Sequence, residues 1–342
     1  MQSPFISDNP DKSESPWLVI PYWPGDRGVK TIERPLAPSP NKGTAVPPSV
    51  IPWLCDSIQV IGGSPGVDFI PGSPTTVAVT VRNYGKGAGL DLVYFNLWWS
   101  PPSTEFGALT KKPVMAQAID TIQRGGPPLV THMTFTPPVS AGPHICVVVR
   151  VTAGNPIVPG DPSFDGTPVW PSDPIGDRHW AQRNLQYVTA NSDGHFHITF
   201  MSGNTTSREL PFLIRGQEVS GQVLEKLARE VRAIPRNLSG ASIEISPLIV
   251  HRKQEQLSKA LSGDQAETTV IIGSNSQLTM VLKGQLKQPL GPGEFTAFEV
   301  IQTVSGKARE FIESRYAEGS FDDSVTGRTG SIGIIVSGPV ST

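Results

Sequence analysis

The chain has 342 residues, a formal net charge of −2 and a pI near 6.3, with charged residues at 17% and hydrophobic residues at 37%. That length admits two domains. The near-neutral balance excludes a nucleic-acid binder that works through a basic surface, and no apolar run is long enough to cross a bilayer as a helix.

Gly and Pro number 34 each, beside many Val-, Ile- and Thr-rich runs, a texture that points to β-structure with frequent turns. The two cysteines, Cys55 and Cys146, exclude a disulfide-rich scaffold and a cysteine zinc finger, and they read as buried thiols. The N-terminal "MQSPFISDNPDKSESP" is polar and has no apolar core segment. It reads as lacking a secretory signal, which implies a cytoplasmic protein or leaderless export.

Residues 1–54 hold 11 prolines, which rules out a helix or a central strand. The same segment carries Phe5, Trp17, Tyr22, Trp23 and Trp53, whereas disordered tails are poor in aromatics. It reads as an extended arm that docks its rings on its own domain. From 55 to 190 the pattern is strand, turn, strand. "TTVAVTVRNYG" alternates Val77, Val79 and Val81 on one face, and "HICVVVRVTA" does so with Ile145, Val147, Val149 and Val151. The turn "GKGAG", 85–89, lies between two strands with no helix behind it, so it reads as a hairpin turn and not a phosphate loop. From 191 to 342 strands continue around one helix near 219–234, with Val223, Leu224, Leu227 and Val231 as its apolar stripe.

Within 55–190, "VAVTVRNYGKGAG", "AGPHICVVVRV" and the closing "QRN" resemble the CARDB domain, an immunoglobulin-like bacterial module related to adhesion domains. The run "DRHWAQRNL" also resembles a DRHxAQRN motif of uncharacterised bacterial and fungal proteins. The resemblance implies a β-sandwich with a binding or spacer role and no reaction. The expected fold is therefore all-β: tandem immunoglobulin-like sandwiches at 55–190 and 191–342, a Pro-rich N-terminal arm over 1–54, and a helical insertion in the second.

Candidate sites compete with plainer readings. "GGSPG", 62–66, has the spacing of a nucleophile elbow at Ser64, but Pro65 removes the oxyanion N–H and no helix follows. His195 and His197 share one strand face and make a weak pair of zinc ligands lacking a third. "GDPSFDG" with Asp173 and Asp177 lacks calcium-loop spacing. Trp98 and Trp99 are adjacent, so one must leave the core for the arm or a ligand. The run "GDRHWAQRNLQ", 176–186, splits by strand alternation. His179, Ala181, Arg183, Leu185 and Tyr187 face protein, and Trp180, Gln182, Asn184, Gln186 and Val188 face outward. Trp98, Trp180, Gln182 and Asn184 thus form the candidate binding strip. Asp177, Arg178 and Arg183 form a structural fastener, with Arg183 paired to Asp161, Asp165, Asp173 or Asp177.

These readings predict a protein that is not an enzyme and needs no cofactor. It serves as a structural or interaction module with a protein partner or with itself, and without nucleic acid or membrane insertion. The alternatives are a carbohydrate-binding module with exposed Trp, which keeps a glycan among the ligands, and a metal-dependent hydrolase at His195 and His197.

Overall fold

A computed structural model describes residues 16–28, 51, 53–61, 70–104, 115–139, 146–153, 178–204, 208–219, 221–237, 241–248, 257–259, 265–274, 276–304 and 328–339. These residues form strands in several sheets and one α-helix, so the described part of the chain is mostly β. Among them no helix is long and apolar enough to cross a membrane.

Two four-stranded sheets face one another in the first half. One contains β1 (Leu18–Val19), β2 (Ile58–Ile61), β3 (Thr75–Asn83) and β6 (Leu129–Phe135). The other has the order β5-β4-β7-β8, from β4 (Leu90–Ser100), β5 (Ala116–Gln123), β7 (Cys146–Ala153) and β8 (Trp180–Arg183). The alternation in β3 and β7 works as the period-2 pattern requires: Val77, Val79 and Val81 meet Val147, Val149 and Val151 across one core. Cys55 lies in this core, Cys146 is buried on the outer face of β4 and β7, and both are free thiols.

The N-terminal segment is less separate than the sequence suggests. Leu18 and Val19 pair with Asn83 and Arg82 as a short strand, and Leu18, Ile20 and Tyr22 enter the core. Trp17 is buried as well. Proline excludes a central strand, not an edge strand, and the two residues between Pro16 and Pro21 that pair are not prolines. Phe5 lies outside the described residues.

The turn after β3 is no hairpin, because β3 and β4 belong to different sheets. Gly87 takes φ 90° as the chain crosses between them. Asn83 organises this corner: its Oδ1 accepts from the Trp17 and Gly85 amides (3.0 and 3.1 Å), and its Nδ2 donates to Asp91 (2.8 Å). The Arg124 guanidinium also grips Asp91 through two bonds of 2.7 and 2.8 Å, and it holds the carboxyl below the usual carboxylate range. The stability this gives is present above the unfolded-state value near pH ~4 and is lost as pH falls through the depressed folded value. Asp91→Asn should cost about 1–2 kcal/mol at neutral pH. It should also flatten acid destabilisation, as read by urea melts at pH 7 and pH 3. An unchanged pH dependence would remove Asp91 from the acid response.

In the second half a three-stranded sheet, order β10-β16-β13, faces a seven-stranded one. The first contains β10 (His195–Asn204), β13 (Ser242–Pro247) and β16 (Ser276–Gln285). The second runs β14-β15-β11-β17-β18-β9, with β12 beside β17. Its strands are β9 (Leu185–Thr189), β11 (Leu210–Glu218), β12 (Ile234–Pro235), β14 (Leu257–Lys259), β15 (Gln265–Ile272), β17 (Glu294–Val304) and β18 (Arg328–Ser337). Phe196, Ile198 and Phe200 meet Phe212, Phe298 and Ile334 in the shared core.

Helix α1 (Gly221–Val231) covers the other face of the larger sheet. Leu224, Leu227 and Val231 are buried there, as their spacing predicts, and Arg232 at φ 53° ends the helix. Trp53 lies in the same layer, fully buried, with its Nε1 donating to Glu299 (3.2 Å).

Candidate functional site

The run from Arg178 to Thr189 serves both halves of the molecule. β8 is an end strand of its four-stranded sheet and pairs antiparallel with β7. After Asn184 the same stretch becomes β9, which pairs in parallel with β18 of the seven-stranded sheet. Asn184 therefore sits where the chain passes from one sheet to the other.

Asn184 is 1% exposed and is bonded on every side but one. Its amide donates to the Trp53 carbonyl (2.7 Å), and its carbonyl accepts from the Gly333 amide (3.0 Å). Its side-chain Nδ2 donates to the carbonyls of Ser103 (2.6 Å) and Ser331 (2.9 Å), one from each half. Ser103 follows β4 after two prolines, and it forms an isolated parallel bridge to Met201 of β10. Next to it, the Thr104 hydroxyl donates to Gln302 (2.8 Å) and lies 3.0 Å from the Ser202 hydroxyl, while Gln302 Nε2 donates to Gly203 (2.7 Å). All of these side chains are buried. A buried polar network of this kind specifies one geometry, because each group left without its partner carries its full desolvation cost.

The remaining residues of the run act inside the protein too. The Arg178 guanidinium stacks 3.8 Å above the Trp17 ring, and its carbonyl accepts from Ile20. Trp180 stacks on Trp98 at 5.4 Å, with Arg150 on the Trp180 ring. Trp98 is 1% and Trp180 7% exposed, and Trp99 is half-buried against the first core. Gln182 is 1% exposed, with its amide donating to the Tyr22 hydroxyl and its carbonyl accepting from Cys55.

This corrects the outward assignment of Trp180, Gln182 and Asn184, and with it the exposed Trp98 and Trp180 that a carbohydrate platform requires. The face that alternation alone leaves to solvent is buried at Trp98, Cys146, Val148 and Trp180. Arg183 does face protein, and its guanidinium pairs with Glu230 of α1 (2.8 Å). The proposed partners Asp161, Asp165, Asp173 and Asp177 lie outside the described residues, as does Ser64. The Glu230 side chain is 41% exposed, which moderates the worth of the pair. Arg183→Met should cost about 1–3 kcal/mol in urea melts, and Glu230→Gln less. Equal costs for the two would show that solvent does not screen the glutamate.

His195 and His197 project from β10 into an open groove of about 730 Å³, with Asn191, Glu244, Lys283 and Gln285 among its lining. The register places Lys283 between His197 and Glu244, so an ammonium occupies the row from which a third ligand would come. Among the described residues no three His, Cys, Asp or Glu gather closely enough to hold a metal ion.

Sequence reasoning missed Asn184 as the crossing point, and it missed Ser103, Thr104 and Gln302. No local signal marks them, since their partners are remote in the chain.

No protein-family model matches the chain, and no curated protein matches it. Among solved structures it is similar to the collagen adhesin (CNA) from S. aureus at 11% identity, covering 82% of this chain and 91% of that one, with a TM-score of 0.24. It is also similar to the Enterococcus faecalis MSCRAMM ACE at 7% identity, covering 83% and 95%, with a TM-score of 0.26. It is also similar to CBD12 from CALX1.2 at 7% identity, covering 76% and 92%, with a TM-score of 0.20.

Proposed function

We propose that this chain is a non-enzymatic structural or protein-interaction module, made of tandem immunoglobulin-like β-sandwiches over 55–190 and 191–342. In this reading the first is CARDB-like, and the Pro-rich arm of 1–54 braces the pair. The observation that carries the proposal is the fate of Gln182, Arg183 and Asn184. The residues that most resemble a ligand strip are committed to internal bonds at the crossing between sandwiches. A joint held by buried hydrogen bonds fixes the relative orientation of the two bodies, as a spacer or presenting module needs.

The test is the distance distribution between spin labels placed one on each sandwich of the full chain. A single narrow distribution is expected. A broad one would show a hinge and overturn the rigid-module reading. Titration of the chain with glycans while Trp emission is followed separates the carbohydrate rival: saturable quenching would favour that reading over this one.

A further inference from the structure

We propose that the groove over β10, β16 and β13 binds an oxyanion, a carboxylate or phosphate group carried by a small molecule, seated on Lys283. The inference goes beyond the interaction role above and does not depend on it, because the groove residues take no part in the crossing at Asn184.

The groove is built on the outer face of the three-stranded sheet. The register sets two rows across that face: His195, Gln285 and Ser242 in one, and His197, Lys283 and Glu244 in the next. All six side chains are exposed, and all six line the groove. Phe196 and Ile243 line it too, although their side chains lie in the core, so its floor is strand main chain. Among the described residues none of the six side chains has a hydrogen bond or an ion pair. Opposite charges that face each other across neighbouring strands ordinarily pair. Lys283 and Glu244 stand directly opposite and form no ion pair.

The groups around Lys283 are mostly donors. Its ammonium carries three N–H bonds at the centre of the face. Asn191 Oδ1 already accepts from the amides of Asp193 (3.1 Å) and His195 (2.8 Å), so Asn191 offers its Nδ2 to the groove. His195, His197, Gln285 and Ser242 can each donate as well. Glu244 is the acidic residue among the lining. A concave site with a surplus of donors around an unpaired ammonium suits a group that only accepts and is negatively charged, whereas a cation there would meet Lys283. The volume of about 730 Å³ has room for a body beyond the oxyanion itself. Glu244, on the far strand from His197, then takes a hydroxyl or an ammonium of that body.

Isothermal titration calorimetry of the full chain at low salt, with inorganic phosphate and with citrate, tests the site and tells the two oxyanions apart. Saturation at one site below about 10 mM is expected with at least one of them. Lys283→Gln should raise the dissociation constant at least ~10-fold. Glu244→Gln should lower it, because a like charge leaves the site. Lys287→Gln, at an exposed lysine outside the lining, should leave it unchanged. All three positions are exposed, so unchanged melting temperatures should accompany these effects. No saturable heat with either anion, a dissociation constant indifferent to Lys283→Gln, an equal loss in Lys287→Gln, or weaker binding in Glu244→Gln would each overturn the proposal.

Discussion

Replacing Gly333 with alanine should destabilise the protein by about 3 kcal/mol, through the contact of one methyl group with one ring. Gly333 lies on β18 between Glu299 and Leu185, and its amide bonds to Asn184. A Cβ built there would run into the Trp53 ring. Neither party can yield cheaply. The ring is fully buried and tied to Glu299, and Trp53 also supplies the carbonyl that receives the Asn184 amide. Trp53→Ala should cost about 3–5 kcal/mol for the emptied volume. With the ring gone the methyl has room, so the double variant should be far from additive, close to Trp53→Ala alone. Thermal or urea melts of the three proteins decide the matter. A neutral Gly333→Ala would mean that Trp53 does not lie on that backbone.

Asn184→Asp should cost about 3 kcal/mol at neutral pH, although it changes a single atom. The side-chain nitrogen faces two carbonyl oxygens, and a carboxylate placed there would face both with no proton to offer. Its pKa must rise on folding, so the deficit should shrink as pH falls and the acid protonates, the reverse of an ordinary surface aspartate. Asn184→Leu should lose about 2–4 kcal/mol by removing the donor to the Ser103 and Ser331 carbonyls, with little pH dependence. Matching pH profiles for Asp and Leu would refute the assigned orientation of the amide.

The elements legible in the sequence were those whose cause is local. The stripe of Leu224, Leu227 and Val231 declares a helix by its own spacing, and the valines of β3 and β7 declare strands. The joint was opaque for the opposite reason. Gln182 and Asn184 look like surface because burying an amide is costly unless it is paired, and their partners lie at Tyr22, Trp53, Ser103 and Ser331. Alternation correctly turned Arg183 toward protein. It could not say that a helix would supply Glu230. Nor does strand period say whether the face it turns away from the core meets solvent, and that hid the burial of Trp98 and Trp180.

The order of strands in the larger sheet bears on how the chain is made. β18 lies between β17 and β9, so the strand begun at Leu185 waits for a neighbour that leaves the ribosome only after residues 190–327. Until then the apolar flank of β17 and the hydrogen-bonding edge of β9 stand open together, and Asn184 has no Gly333 to receive. Pairing across such a separation is slow, and the intermediate that precedes it is the species most prone to aggregate. Nascent chains halted before Arg328 should therefore need chaperones that chains carried past Ser337 do not.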